Sequence, residues 1–192
     1  MTKTLLILGA GGHGKAVAEA ALLSGDWQRV LFVDDRWPQL EESFGLPVVA
    51  DVAGLSRIAL HSDAAIAAVG SNALREQWQQ AIIASGLSPA TVVHPRACVS
   101  PTARIGAGSA IMALAMVGVD VHIGEGAIIN ANATVDHDAS LGDFAHLGVG
   151  VQIAGSVRVG ARAWLQAGCC AGYRVVVADG AQYEPGTALM GV

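Results

Sequence analysis

Two clusters of residues in this sequence are suited to chemistry. One is a histidine between two acids, Asp136-His137-Asp138; the other is a glycine run, Gly9-Ala10-Gly11-Gly12-His13-Gly14. An imidazole flanked by carboxylates has one ring nitrogen held while the other takes a proton, which is the arrangement of a general base. Its plain alternative is a solvated acidic turn. The glycines follow an apolar stretch and open a helix, with Asp34 twenty residues beyond Gly14. That spacing meets the formal dinucleotide fingerprint, and N–H groups at a helix N-terminus suit an anionic phosphate. A tight strand–helix turn with no ligand is the alternative here. Asp34 and Asp35 either reach a bound ligand or end a strand in solvent.

The elements that position these groups change character near His94-Pro95. Before that point Thr4 to Leu8 reads as a buried strand, Lys15 to Ser24 as a helix stopped by Gly25, and Val30 to Val33 as a second strand. Ala64 to Val69 gives a third strand, Asn72 to Ser85 a helix with Gly86 as its stop, and Thr91 to Val93 a short strand. Strands alternating with helices predict a small parallel sheet. After Pro95 the pattern repeats every six residues. From Val99 to Leu189 each sixth residue is Val, Ile or Leu, except Ala171 and Tyr183. A small or β-branched residue follows four places later, as in Ala133, Ala139 and Ala145, and glycine often follows directly, as in Ile123-Gly124 and Leu141-Gly142. One register held over about 90 residues predicts a β-solenoid with aliphatic residues inside and small ones at the bends.

Composition agrees with a tightly wound coil: 53% of the 192 residues are hydrophobic, only 5% are aromatic, and there are 24 glycines. A formal net charge of −5 gives no basic surface for nucleic acid or anionic lipid. No apolar run reaches the roughly 18 residues of a membrane span. Cys98, Cys169 and Cys170 form no disulfide or zinc framework, which fits a reduced, cytoplasmic compartment. Cys169 falls at a small-residue position inside the coil, and Cys170 points out. His61 and His122 read as surface residues, and His94 marks the change of pattern. The hexad phase puts His137 outside the core at a turn.

Together these motifs resemble the left-handed β-helix acyltransferases. The closer likeness is to the sugar-modifying branch, the bacillosamine-pathway N-acetyltransferases and sialic-acid O-acetyltransferases. Matching stretches are Gly9 to Gly14, Val33-Asp34-Asp35, Ala68-Val69-Gly70-Ser71-Asn72, Val93-His94-Pro95 and Ala133-Thr134-Val135-Asp136-His137-Asp138. The resemblance implies a Rossmann-like nucleotide-sugar-binding domain over 1–94 and a left-handed parallel β-helix of about five coils over 95–192. It implies a homotrimer with acetyl-CoA as co-substrate in the cleft between neighbouring helices. It implies N-acetylation of a UDP-linked 4-amino sugar for surface glycan synthesis.

Residue by residue, His137 matches the general base, Asp138 the carboxylate that orients it, and Asp136 its other acidic neighbour. Asn130, His146 and Gly155 match groups about the thioester, Gly155 as a backbone donor to its oxygen. Gly11, Gly12 and His13 fall near the phosphates or sugar, and Asp34 and Asp35 near the nucleoside. No metal is expected: the γ-type carbonic anhydrases share this fold, but their zinc needs a close histidine pair, and His137 and His146 lie nine residues apart. Family members usually continue into a Gly-x-Pro-Ala segment and a basic tail where this sequence has Gly191-Val192, which leaves that edge of the CoA site to be built differently. The irregular hexad at Ala171-Gly172-Tyr173-Arg174 predicts a distorted final coil. Three other readings stand beside the leading one: an O-acetyltransferase of a sialic-acid-type sugar, an NAD-dependent oxidoreductase resting on the glycine loop alone, and a non-catalytic nucleotide-sugar-binding protein.

Overall fold

The computed structural model describes residues 3–190 and separates into two compact units, Met1–Val93 and His94–Val192. In the first, the apolar run Thr4–Leu8 forms β1, buried along its whole length. Helix α1 (Gly12–Ser24) begins inside the glycine run, three residues earlier than the sequence pattern predicts, and ends on Gly25 at φ 77°. Strand β2 (Arg29–Val33) follows, then a hairpin of β3 (Glu42–Ser43) and β4 (Leu46–Ala50), a short helix α2 (Leu55–Ala59), β5 (Ala64–Ala67), α3 (Asn72–Ala84) and β6 (Ser88–Pro89). The sheet order is β3-β4-β2-β1-β5-β6, parallel except for the β3–β4 pair. Connections leave β1 in opposite directions toward β2 and β5, so the crevice beyond the C-terminal end of β1 is the switch point where such sheets hold ligands.

The β3–β4 hairpin and α2 had no sequence expectation. The hairpin turns on Phe44 and Gly45, both at positive φ (56° and 68°). That is the geometry of a two-residue hairpin turn, with phenylalanine where asparagine or glycine is usual. Helix α2 has only five residues, too few to display a period. Leu6, Leu8, Leu31 and Val33 of the sheet pack with Leu55 of α2 and Trp78 and Ile82 of α3.

The second unit is a left-handed parallel β-helix. Its two-residue strands stack eighteen residues apart, as in the ladder Met116–Val117, Thr134–Val135, Gln152–Ile153 and Cys170–Ala171. Ile111, Val117, Ile129, Val135, Leu147 and Leu165 fill the interior and are almost fully buried. Each such side chain contributes about 1.5–3 kcal/mol through removal from water.

The bends lie one residue earlier than the small residues. At every sixth position from Gly108 to Gly186 the backbone is left-handed, with φ between 56° and 76°. Glycine, Asn132, Asp120 and Asp138 tolerate that conformation well. Leu114, Phe144, Arg162 and Arg174 adopt it too, and there Phe144, Arg162 and Arg174 donate their N–H to the neighbouring coil, at Glu125 O, Asp143 O and Gly155 O. The glycines directly after the aliphatic residues have a different cause. A Cβ on Gly124 would lie 2.7 Å from the Gly142 carbonyl carbon, and one on Gly142 would lie 2.5 Å from the Ala161 nitrogen. One edge of the coil is therefore stacked too closely for side chains. Contrary to expectation, the hexad at Ala171–Arg174 is regular: Cys170–Ala171 pairs with Ala188–Leu189, and Arg174 takes the left-handed bend of its neighbours. The expectation placed on Gly191-Val192 lies outside the described residues.

Candidate active site

His137 sits on a corner of the β-helix, just after the strand Thr134–Val135. Asp138 occupies the left-handed bend at φ 58°, and its carboxylate turns back to the ring, with Oδ2 2.8 Å from His137 Nδ1. A carboxylate only accepts, so Nδ1 carries the proton and Nε2 keeps its lone pair. Asp136 accepts the backbone N–H of His137 at 2.8 Å, and its other oxygen lies 3.9 Å from Nε2. The imidazole is half exposed. The hydrogen bond it donates to Asp138 and then the charge of Asp136 raise its pKa above the ordinary histidine value.

Gly155 on one neighbouring coil leaves room for this ring, and Gly118 on the other leaves room for the backbone that carries it. A Cβ on Gly155 would lie 2.6 Å from His137 Cε1 and 2.7 Å from Nε2; one on Gly118 would lie 3.0 Å from the His137 nitrogen. Some corner N–H groups are capped by side chains, Ala131 by Asn130, Glu125 by Asp143 and Ala161 by Asp179, whereas those of Val119, Val149 and Tyr173 meet no acceptor among the described residues. Among the described residues no acceptor meets the Gly155 N–H. An open donor therefore stands against the base. Beside Asp136 a groove of about 460 Å³ runs over the outer face of the ladder, lined by Met116, Thr134, Gln152 and Cys170 and reaching Met190. Of these, Thr134 belongs to the Ala133–Asp138 motif and Cys170 is expected to face outward; the others carry no motif. Residues at every sixth place that point out alternate in type without a pattern, so the groove had no signal.

Two expected partners are not brought to His137. Asn130 lies at the preceding corner, its side-chain oxygen engaged by Ala131 N–H at 2.8 Å. His146 belongs to another face, where it is buried and stacked on Trp164 with ring centroids 5.6 Å apart. Among the described residues no group of three His, Cys, Asp or Glu is placed to hold a metal.

In the first unit the three fingerprint glycines divide their duties. Gly9 has φ 105°, and a Cβ there would meet the Ala68 carbonyl oxygen at 2.9 Å; a Cβ on Gly14 would strike the Gly9 carbonyl oxygen. Both are required by the fold. A Cβ on Gly11 or Gly12 would meet nothing within 4 Å, and no side chain caps α1. The first helix N–H groups are thus uncapped and the loop around Gly11 and Gly12 is open, as an anion site needs. Ser43 of the hairpin ties the loop by donating to Ala10 O at 2.9 Å.

Asp34 is fully engaged: it accepts from Ala10 N–H at 2.7 Å and from the Arg36 backbone N–H, Nε and Nη2 at 2.8–3.0 Å. Arg36 foremost holds its pKa down at about 2. A dinucleotide enzyme needs this carboxylate free for ribose hydroxyls, and here its acceptor positions are used. The exposed Asp35 accepts Val52 N–H with one oxygen. Below the loop the His13 Nε2 is buried without a partner, and burial first, then the charge of Arg75, lower its pKa to about 4. Arg75 in turn donates to Val69 O, Gly70 O and Asn72 Oδ1, which accounts for the Val69-Gly70-Ser71-Asn72 motif as a loop held from beneath.

A Rossmann-like unit followed by a hexapeptide-repeat β-helix, with an acid-held histidine on one corner, defines the class of protein. Residues 4–82 match the PglD N-terminal domain family. The chain is 33% identical over 114 residues to the UDP-N-acetylbacillosamine N-acetyltransferase of Bacillus subtilis (strain 168); the match covers 58% of this chain and 52%, about half, of that protein. It is similar to the acetyltransferase domain of PglB from Neisseria gonorrhoeae in complex with acetyl coenzyme A, with TM-score 0.92 and 34% identity over 99% of this chain and 94% of that one. PerB from Caulobacter crescentus, in complex with CoA and GDP-perosamine, gives TM-score 0.81 and 33% identity over 100% and 95%. The chain belongs to the left-handed β-helix, hexapeptide-repeat sugar acyltransferase family.

Proposed function

We propose that this protein is an acetyl-CoA-dependent N-acetyltransferase of a nucleotide-linked amino sugar, of the UDP-4-amino type, serving surface glycan synthesis. The observation that carries the reading is the His137 corner, where an Asp138-held base lies against the open Gly155 N–H beside a groove. In the proposed reaction the acceptor amine attacks the thioester carbonyl carbon while His137 Nε2 takes its proton. The developing oxyanion accepts from Gly155 N–H, the C–S bond breaks as the N–C bond remains, and the leaving thiolate takes the proton from the His137 imidazolium to give free CoA. No covalent enzyme intermediate forms and no metal takes part. Asp136 and Asp138 favour the imidazolium that results.

The nucleotide part is assigned to the Gly11-Gly12-His13 loop and Asp35, with Asp34 holding the loop through Ala10 rather than touching the ligand. Asn130 and His146 are assigned to the acetyl-CoA side, reached across a subunit boundary in a homotrimer. Exposed Leu114, Val119 and Val149 on the coil support such an assembly, and sedimentation velocity tests it. Among the described residues no helix is long and apolar enough to cross a membrane; a cytoplasmic location is part of the proposal. The substrate is tested by presenting UDP-, dTDP- and GDP-linked amino sugars with acetyl-CoA and measuring thiol release. Turnover confined to a UDP-amino sugar is expected; release with none of the amines would overturn the reading.

A further inference from the structure

The first unit carries a second cavity, of about 390 Å³, that neither ligand of the proposed reaction uses. Its apolar floor is Leu31 of β2, Val49 of β4 and Ile58 of α2; Arg29, Arg57 and His61 stand around it. The cavity lies between the five-residue helix α2 and strands β2 and β4. Arg29 is the first residue of β2 and pairs with Thr4, whereas the glycine loop follows Leu8 at the other end of β1. The two places are separated by the length of the strands, roughly 13 Å.

The charges at this cavity are unspent. Arg36 is paired with Asp34, and Arg75 is bonded to the loop above it. Among the described residues neither Arg29 nor Arg57 has an ion pair or a side-chain hydrogen bond. The nearby carboxylates are engaged with backbone: Asp63 accepts Thr4 N–H at 2.7 Å, and Asp51 accepts Gly54 N–H at 2.8 Å. Among the described residues no carboxylate lines the cavity. What sets Arg29 and Arg57 apart is the apolar floor between them, and guanidinium groups recognise a carboxylate or phosphate by paired donors.

We propose that this cavity binds a small organic anion, with an apolar body on Leu31, Val49 and Ile58 and an anionic head between Arg29 and Arg57. The volume lies within the range of small-molecule sites. The test uses the full chain and 1-naphthyl phosphate as probe in a calorimetric titration, with 1-naphthoate and inorganic phosphate alongside. One site per chain is expected, and inorganic phosphate should bind at least about tenfold more weakly because it lacks the body. Whichever naphthyl compound binds tighter identifies the head. Arg29→Gln and Arg57→Gln should each weaken the naphthyl probe about tenfold or more, the loss of a charge-assisted hydrogen bond, with unchanged melting temperature. Val49→Asp should do the same by spoiling the floor, and Gly11→Val should leave the probe's affinity as it was. Wild-type affinity in both arginine variants, loss of binding in Gly11→Val, or no binding of either naphthyl compound would overturn the proposal. Because the readout is binding at the far end of the sheet, it is independent of whether acetyl transfer occurs.

Discussion

The glycine loop and the His137 corner prepare their groups in opposite ways. At the loop the ionisable groups are buried or used up. His13 is held neutral, Arg75 is bonded to loop carbonyls, and the Asp34 carboxylate is filled by Ala10 and Arg36. What remains for a ligand is backbone N–H and the exposed Asp35. At the corner the reactive side chain is half exposed and its charge is encouraged by Asp138 and Asp136. The loop is a rigid binder; the corner is a titrating group on a rigid step. Binding calls for donors that do not change with pH, whereas proton transfer calls for one that does.

This contrast breaks most sharply at the corner itself. His137→Ala should lower kcat by about 10²- to 10⁴-fold, the usual worth of general-base assistance, with both KM values and assembly little changed. An exposed corner residue carries little packing, so circular dichroism and sedimentation should match wild type. At Gly155 the same contrast sharpens. Gly155→Ala places a methyl group on the His137 ring, and steady-state kinetics should show a kcat loss approaching that of His137→Ala without loss of acetyl-CoA affinity.

The loop responds differently. Gly11→Val should raise the acceptor KM by about tenfold or more while leaving acetyl-CoA affinity and thermal stability unchanged, because its Cβ meets only open space. Gly14→Ala should instead destabilise the first unit by about 1–3 kcal/mol, the usual penalty of forcing atoms into a filled site, visible in urea unfolding. A smaller effect belongs to His13. Its folded pKa of about 4 lies below the unfolded value of 6.5, so the unfolded state binds the proton first. Stability is fully present above pH 6.5 and declines as pH falls toward 4, by up to about 3 kcal/mol. Unfolding of His13→Asn should be less sensitive to pH across that window.

The two regions were also unequally legible in the sequence. The coil repeats one local rule, so Val135 as core and His137 as an outward corner residue follow from counting by six. The left-handed bend at Asp138 was hidden because the residues at that position are so varied, from Gly126 to Phe144. The stacking glycines show only once coils eighteen residues apart are superposed. In the first unit β1, β2 and α3 were evident from apolar runs and their glycine stops. The Asp34–Arg36–Ala10 link and the buried His13–Arg75 pair join residues from different strands and helices, and no local pattern records them. Two-residue strands such as β3 fall below any period.

Everything at the corner turns on whether His137, held by Asp138, is the group that takes the proton. The most direct test is the pH dependence of kcat/KM for thiol release in wild type and Asp138→Asn. Because Asp138 holds the imidazole pKa above 6.5, the acidic limb of the wild-type profile should lie above that value. In Asp138→Asn it should move to lower pH, while any limb belonging to the acceptor amine stays in place. An acidic limb at the same pH in both proteins, or one that survives with near-normal turnover in His137→Ala, would contradict that role.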